Sequence, residues 1–459
     1  MAVSRRRLFT LALAAHAVVA CSLITDYTLN GKAVGTRGDA GDNSESGTDG
    51  ASDDGTTVET GPDPGTIIPD EDAGPACSET PCVTQVAPAG RATCALLSDG
   101  TVKCWGANSA GLLQIAGDTN VPQTITFSSP LNATRIDQIV VGDWGRWGAT
   151  ACARALGDIE CWGTDGAERR LGRPNTDGGG TNATPEVVTG INGATDLAMG
   201  SQRGCAIANG KVLCWGKDYT STISLAKEFP TPKPSVRVYA GRDQDCVLLD
   251  SGEIACAGYP FASKELWSVD AGVGPGSADF TIVPNISGVY EIANSGNFIC
   301  VRKNDGSVWC WGRNDKGQLG RGNVSGFNTT PQKVPLGMAA KRIGSGANFV
   351  CAALADASLW CWGRNNSGTN YDGTFHPTGV IGPNPDGGPS TDDLIVVSPR
   401  KIDGLPNNAG LIRQIAGGYE HMCVLYQSGA LYCWGGNRHG QLSSPSNNNA
   451  NPTPAKVTF

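Results

Sequence analysis

Residues 415–442 read IAGGYEHMCVLYQSGALYCWGGNRHGQL, and two cysteines ten residues apart, Cys423 and Cys433, surround a Ser428-Gly429 turn in this stretch. Glycine at a turn between two runs of apolar residues is typical of a β-hairpin. The stretch therefore predicts two short antiparallel strands with one cysteine on each.

Cysteine pairs of this kind recur seven times with a period of about 55 residues, which points to a propeller or a solenoid. Counting outward from the three-residue turn at 98–100 places Cys94 opposite Cys104 in a non-hydrogen-bonded pair, where facing side chains lie closest. The two-residue turn Asn209-Gly210 does the same for Cys205 and Cys214. We therefore expect seven disulfides, with Cys77-Cys82 as an eighth candidate pair. The seven are Cys94-Cys104, Cys152-Cys161, Cys205-Cys214, Cys246-Cys256, Cys300-Cys310, Cys351-Cys361 and Cys423-Cys433.

Two other interpretations of the cysteines fit less well. A helical hairpin with twin cysteines conflicts with the glycine at nearly every turn, because glycine disfavours helices. Zinc binding conflicts with the spacing, which lacks paired Cys-x2-Cys knuckles, and with the presence of only four histidines in the whole chain.

The first residues have the form of an export signal. Arg5-Arg6-Arg7 precedes an apolar stretch that is too short to span a bilayer, and Val18-Val19-Ala20-Cys21 follows. This resembles a bacterial lipoprotein signal, with residues 1–20 removed and Cys21 lipidated. A plain secretory signal with an incidental cysteine is the alternative, and Ser4-Arg5-Arg6-Arg7-Leu8-Phe9 also resembles a twin-arginine motif. We expect an exported protein, lipid-anchored to the envelope, at the outer membrane because Ser22 is not aspartate, and facing the periplasm or the surface.

Residues 21–76 are rich in Gly, Asp, Ser and Thr, and twelve acidic residues stand against Lys32 and Arg37. Such a composition cannot form a core, so this segment is expected to be a disordered tether that spaces the folded part from the membrane. Calcium binding is the alternative, although the acidic residues do not follow the loop pattern of an EF-hand. The rest of the chain is nearly neutral, which argues against nucleic-acid binding.

Residues 77–459 divide almost evenly into seven units, and their motifs are recognisable. Repeat five reads DGSVWCWGRNDKGQLG at residues 305–320, and repeat seven carries the same elements in register. The sequence of these repeats resembles the regulator of chromosome condensation repeat family. The resemblance implies an all-β, seven-bladed β-propeller of four-stranded antiparallel blades around a central channel, and we expect it to be a monomer.

The same resemblance assigns structural roles to the repeated residues. The Trp after each second cysteine, as in Trp105 and Trp434, lies on the face opposite the disulfide and should fill the space between blades. Strands of the form Pro-x-x-aliphatic precede most repeats. Because none is evident before the first repeat, we expect the C-terminal copy, Pro454-Ala455-Lys456-Val457, to supply the outer strand of the first blade.

Residues that vary at equivalent places suggest where a ligand binds. The position two residues before each first cysteine varies strongly, as a binding rim would, although drift at sites that tolerate substitution looks the same. A Gly-, Pro-, Asp- and Asn-rich insertion, residues 370–398, forms the longest spacing and is either a recognition loop or an idle one. The candidate binding residues are Arg203, Gln244, Phe298, Phe349, His421, Tyr371 and His376.

No catalytic constellation is evident in the sequence. His376, His421 and His439 lie outside recognisable catalytic motifs, and no pair of carboxylates can be placed at glycosidase spacing. We therefore expect no catalytic residues, metal or cofactor. The chain is interpreted as a module that binds a protein or glycan of the envelope or the extracellular space, with a glycan-active enzyme or a purely architectural envelope component as alternatives.

Overall fold

A computed structural model describes residue 77 and the ranges 80–108, 111–127, 135–142, 148–174, 180–217, 222–241, 244–258, 279–295, 298–369, 375–377, 379–382, 395–407 and 409–459, with only the backbone of 366–369 and 375–377. The expected signal, Cys21 and the tether lie outside these residues. No helix in this part of the chain is long and apolar enough to cross a membrane.

Seven four-stranded antiparallel sheets account for nearly all of the regular structure, which confirms the propeller. Blade 1 comprises β1 (Val83–Pro88), β2 (Ala92–Leu97), β3 (Val102–Gly106) and β4 (Thr119–Thr124). Blade 2 comprises β5 (Gln138–Gly142), β6 (Thr150–Ala155), β7 (Asp158–Thr164) and β8 (Thr181–Val187). Blade 3 comprises β9 (Ala194–Met199), β10 (Arg203–Ala208), β11 (Lys211–Lys217) and β12 (Thr222–Phe229). Blade 4 comprises β13 (Ser235–Ala240), β14 (Gln244–Leu249), β15 (Ile254–Gly258) and β16 (Thr281–Ile282).

The remaining blades follow the same order from the channel outward. Blade 5 comprises β17 (Val289–Asn294), β18 (Phe298–Lys303), β19 (Val308–Arg313) and β20 (Phe327–Lys333). Blade 6 comprises β21 (Ala340–Ser345), β22 (Phe349–Leu354), β23 (Leu359–Arg364) and β26 (Ile395–Lys401), with a separate hairpin of β24 (Asn366–Thr369) and β25 (Phe375–Pro377) between its last two strands. Blade 7 comprises β27 (Ile412–Gly417), β28 (His421–Tyr426), β29 (Leu431–Asn437) and β30 (Asn447–Lys456).

Disulfides join the second and third strands of every blade. In blade 1, Cys94 pairs with Cys104 in the strand register, and their Cα atoms are 4.1 Å apart. The other six hairpin pairs have Cα separations of 4.0 to 4.2 Å. Such short separations belong to non-hydrogen-bonded pairs of an antiparallel ladder, as the turn lengths predict. Cys77 and Cys82 are also bonded to each other.

Six tryptophans connect successive blades. All six are fully buried, because each indole fills the space between its own sheet and the preceding one. Five of the indole N–H groups also donate a hydrogen bond to a carbonyl of the preceding blade's loop. These bonds are Trp105 to Gln441 (2.9 Å), Trp162 to Leu112 (3.0 Å), Trp215 to Arg170 (2.8 Å), Trp362 to Gln318 (2.8 Å) and Trp434 to Val380 (2.8 Å).

The outer strands correct one expectation from the sequence. The Pro-x-x-aliphatic segments follow the hairpin of their own blade rather than precede the next one, and blade 1 has its own copy, Pro122-Gln123-Thr124-Ile125. The N–H of Ile125 donates to the carbonyl of Val102, and Val457 donates to Leu431 in the same way, both at 2.9 Å. The C-terminal strand therefore completes blade 7, and no strand is exchanged with blade 1.

The ring closes instead through contacts that repeat those between interior blades. Strand β1 packs on β27 and β28, and one apolar cluster joins Val86 and Trp105 of blade 1 to Leu425 and Val457 of blade 7. The bond from Trp105 to Gln441 belongs to this interface. The first and last blades thus meet as any other two neighbours do.

Candidate binding site at the mouth of the central channel

The two faces of the ring differ in what they present. Each innermost strand begins beside the hairpin turn of its blade, as the pairing of Val83 with Leu97 shows, and ends near the loop between the third and fourth strands. We call the first side the turn face and the second the loop face. The channel has a cavity of about 750 Å³ toward the turn face and one of about 250 Å³ toward the loop face. The larger cavity has the volume of an ordinary ligand site.

Two successive positions on the innermost strands form rings at the turn face. The first, here called the outer ring, contains Thr84, Asp137, Thr195, Val236, Tyr290, Lys341 and Arg413. The next position, here called the polar ring, contains Gln85, Gln138, Asp196, Arg237, Glu291, Arg342 and Gln414. All of these residues except Lys341 line the larger cavity.

Six members of the polar ring bind their blade to the next one around the channel. Gln85 accepts a hydrogen bond from the Ile139 N–H at 2.9 Å, and Gln138 donates to the Leu197 carbonyl at 2.9 Å. Asp196 accepts from the Val238 N–H at 2.8 Å, and Glu291 accepts from the Ile343 N–H at 3.0 Å. Arg342 donates to the Arg413 carbonyl at 2.8 Å. These side chains satisfy backbone groups on the open edges of the innermost strands.

At the junction of blades 7 and 1, one side chain of the polar ring makes two hydrogen bonds to the backbone of the next blade. Gln414 accepts from the Val86 N–H at 2.9 Å and donates to the Val86 carbonyl at 2.8 Å. The amide of one side chain thus replaces the two groups that a neighbouring strand would offer. Hydrogen bonds from the polar ring to backbone, which link interior blades, therefore also join the last blade to the first.

The two carboxylates of the polar ring are partly withdrawn from water. Burial raises the pKa of Asp196, against the opposing effects of the Val238 N–H and the Arg237 guanidinium. Burial likewise raises the pKa of Glu291, although Arg302 and Arg342 both favour its ionised form. The Arg302 Nε lies 3.1 Å from the Glu291 carboxylate, and the Arg302 guanidinium also lies 4.4 Å from the centre of the Tyr290 ring. Withdrawn charges of this kind interact more strongly than charges in water.

The loop-face mouth is lined mainly by backbone and small residues, and its described lining residues carry no charge. A methyl group on Gly200 would lie 2.2 Å from the Gly241 carbonyl oxygen, and one on Gly142 would lie 2.0 Å from that of Gly200. Blades 2, 3 and 4 therefore approach each other too closely for a side chain at these two positions. The loop-face mouth offers little chemistry to a ligand.

The candidate rim residues lie at the first position of each second strand, and they are buried between blades rather than exposed at a rim. Arg203 forms an ion pair with Asp245 of blade 4, and Gln244 donates to the Asn294 side chain of blade 5 at 3.0 Å. Because a buried side chain cannot contact a surface partner, we assign these positions to blade packing. All five, Arg203, Gln244, Phe298, Phe349 and His421, are at most 4% exposed.

His421 shows what this position does at the junction of blades 7 and 1. Its Nε2 lies 2.8 Å from the Thr93 hydroxyl oxygen, and burial lowers its pKa to about 3. The histidine is therefore a neutral packing residue at neutral pH. Of the two candidates in the insertion, Tyr371 lies outside the described residues, and His376 is described only as a backbone position in β25.

Sequence reasoning missed the polar ring, although a signal was present. In most repeats an aliphatic residue lies eight positions before the first cysteine, as Ile415 lies before Cys423. The member of the polar ring is the residue directly before it, such as Gln414. A polar residue followed by an aliphatic one stands at this place in six repeats, and in repeat two the pair Gln138-Ile139 stands thirteen positions ahead of Cys152, so the pattern indicates a shared contact. Its partner could not be read from the sequence, because it is backbone of another blade.

Comparison with protein-family models identifies the repeats. A model described as the regulator of chromosome condensation (RCC1) repeat matches residues 305–353. A second model of the same description matches residues 84–111, 291–318, 340–369 and 412–441.

Known proteins with similar sequences or structures agree with this match. The ultraviolet-B receptor UVR8 of Arabidopsis thaliana is 24% identical over 326 residues, which cover 60% of this chain and 72% of that protein. The E3 ubiquitin-protein ligase HERC2 of Homo sapiens is 24% identical over 356 residues, 77% of this chain but 6% of that protein. The crystal structure of Prp20p from Saccharomyces cerevisiae, described with its binding properties to Gsp1p and histones, has a TM-score of 0.64 at 19% identity and covers 83% of this chain and 88% of that one. This last likeness shows the fold alone.

Proposed function

The chain carries repeats of the regulator of chromosome condensation family on a single seven-bladed ring, and on that premise we propose that it is a binding module whose turn-face mouth receives a segment of a protein partner. One observation carries the proposal. Of the two channel mouths, the one at the turn face combines a cavity of about 750 Å³ with polar side chains from all seven blades, and blades 2 to 7 each contribute a charged one.

Several features of the mouth suit a protein ligand. Val236 and Tyr290 are exposed in the outer ring, where they offer apolar and aromatic surface beside charged groups. Interfaces of proteins typically combine aromatic anchors with a polar surround. Prp20p, which shares the fold, is described as binding Gsp1p and histones, and yeast RCC1 is described as bound to Kap60. Protein recognition is therefore in keeping with what this scaffold does elsewhere.

We further propose that the module works outside the cytoplasm on a lipid anchor at Cys21. The arginine-rich start, the short apolar stretch and the cysteine that follows it support this placement. The eight disulfides support it as well, because such bonds persist in oxidising compartments. The acidic segment 21–76 would then hold the propeller away from the membrane.

The proposal is tested by capturing partners from envelope and secreted fractions with the oxidised protein and two variants. Val236→Trp fills the turn-face mouth, whereas Val187→Trp places the same bulk on the outer strand β8, where the wild-type valine is similarly exposed. A saturable partner that wild type and Val187→Trp retain and Val236→Trp loses would support the proposal. A partner that Val236→Trp retains, or no saturable partner from folded bait, would contradict it, and the second result would favour an architectural role.

A further inference from the structure

The charges at the turn-face mouth are unevenly distributed around the channel. Among the described lining residues of blades 6, 7 and 1 there are two arginines, Arg342 and Arg413, and no carboxylate. The facing blades 2 to 4 contribute two aspartates and two arginines: the Arg154 Nε lies 2.8 Å from the Asp137 carboxylate, and Arg237 favours the ionised form of Asp196. The uncompensated positive charge of the described lining therefore lies on the side of blades 6, 7 and 1, and the low-dielectric walls of a channel concentrate the field of such charges.

Lys341 extends the positive side. It precedes Arg342 on the innermost strand of blade 6, and we call Lys341, Arg342 and Arg413 the cationic arc. Lys341 and Arg413 are half-buried, so that their charges still reach solvent. Glu291, the nearest carboxylate along the polar ring, already interacts with two guanidinium groups, those of Arg302 and Arg342. Among the described members of the two rings in blades 5 to 7, the three cations of the arc stand against this one carboxylate.

The Arg342 side chain holds together the backbones that carry the arc. The Arg342 Nε donates to the Arg413 carbonyl at 2.8 Å, and its Nη1 donates to the Lys341 carbonyl at 2.9 Å. These bonds join the backbones that carry the other two cations. With the backbone already fixed, only the side chains of Lys341 and Arg413 remain to be ordered when a carboxylate binds.

We propose that the cationic arc binds an acidic peptide segment of the partner, with adjacent carboxylates against Lys341 and Arg413 and the rest of the segment in the cavity. This inference rests on the proposed function for the protein nature of the ligand, while the arc supplies its charge. Charge-assisted bonds between carboxylates and guanidinium groups provide both strength and direction.

The test measures the fluorescence anisotropy of fluorescein-labelled hexaglutamate, hexalysine and a neutral Gly-Ser hexapeptide with the purified protein at low salt. The key variant is Lys341→Gln with Arg413→Gln. The control, Lys456→Gln with Lys227→Gln, removes the same charge from exposed positions on the outer strands β30 and β12. Circular dichroism and thermal unfolding confirm that each variant is folded.

We expect hexaglutamate to bind the wild-type protein and the control alike, and to bind the arc variant about tenfold more weakly, with affinity falling as salt rises. Hexalysine and the neutral peptide should bind at least tenfold more weakly than hexaglutamate. Equal binding of hexaglutamate to both variants, or equal binding of the three peptides, would overturn the inference. Preferential binding of oligogalacturonate in the same assay would also overturn it, in favour of an acidic glycan.

Failure of this inference is distinguishable from failure of the proposed function. If the captured partner is lost with Val236→Trp but retained by the arc variant, the mouth binds a protein without using the cationic arc. If the partner is retained by both variants, the mouth is not the site. Loss of the partner with both variants supports the two proposals together.

Discussion

The two mouths of the channel are built from the same seven strands and yet differ in what they can do. At the loop face, glycines such as Gly200 and Gly142 let the strands touch, and the described lining holds no charge. At the turn face, side chains at two successive positions line a cavity three times as large. Close approach of backbone thus narrows one end of the ring, and the charged side chains line the other.

The largest effect on the free energy of unfolding is expected from adding a side chain at the loop face. Gly200→Ala would place its Cβ 2.2 Å from the Gly241 carbonyl oxygen, and backbone cannot move aside as a flexible side chain can. We expect a loss of about 3 kcal/mol in the free energy of unfolding, measured by urea denaturation with the disulfides intact. The matched change at the open end, Val236→Ala, should cost no more than about 0.5 kcal/mol. Similar losses in both variants would show that the two ends are equally tight.

The contributions to stability of titratable groups at the two faces should change in opposite directions as the pH falls. At the loop face, burial lowers the pKa of His421 from 6.5 to about 3, so its contribution to stability is complete above pH 6.5 and is lost as the pH falls toward 3. Between about pH 6.5 and 4.5 this should cost about 2 kcal/mol. At the turn face, the raised pKa values of Asp196 and Glu291 give stability that is present in acid and lost as the pH rises.

Unfolding free energies of wild type and His421→Phe across this pH range check the first half of that prediction. Phenylalanine already occupies the equivalent position in two other blades, as Phe298 and Phe349. The variant should lose less stability on acidification than wild type does. Parallel curves for the two proteins would mean that His421 is not buried as a neutral group. In Glu291→Gln, the contribution to the unfolding free energy that the raised pKa of Glu291 gives in acid should be absent.

A smaller effect is expected from the polar ring. Gln414→Leu removes both hydrogen bonds to Val86 at the junction of blades 7 and 1. Because water in the open mouth can replace part of what is lost, we expect a cost of about 1 to 2 kcal/mol in thermal or urea unfolding. A Leu variant as stable as wild type would show that the polar ring does not fasten the blades.

The smallest effect concerns the turns that surround the open mouth. In blade 6, Ala357 takes a φ of 64° at the place where blade 5 has Gly306 and blade 7 has Gly429. Left-handed backbone costs an alanine about 1 kcal/mol relative to glycine, so Ala357→Gly should raise the unfolding free energy by up to about that amount. Gly306→Ala should have the reverse effect, and it would also meet Ala339 at 2.6 Å. A destabilised Ala357→Gly protein would contradict this account of the turns.

The sequence was sufficient for local structure and insufficient for relations between blades. Turn lengths alone placed Cys94 opposite Cys104, and strand alternation placed Trp105 between sheets. Those inferences use only neighbours within one hairpin. The assignment of residues 454–457 to blade 1 is wrong, because the pattern Pro-x-x-aliphatic does not say which of two adjacent hairpins it pairs with.

The site was harder to predict for a related reason. Variation at the position of His421 suggested an exposed rim, yet varied residues fill varied spaces between blades equally well. The residues that do reach the cavity, such as Arg413 and Tyr290, are brought together only when seven strands that are distant in sequence meet around one axis. Sequence periodicity gives the strands, but the channel exists only in the closed ring.

The central claim is that ligands bind at the turn-face mouth, and amide hydrogen exchange of the protein with and without its captured partner tests it most directly. The account predicts protection on binding in the segments that begin the innermost strands, residues 84–86, 195–197 and 413–415, with little change in the loops at 314–320 and 437–442. Protection confined to those loops, with none at the starts of the innermost strands, would contradict it.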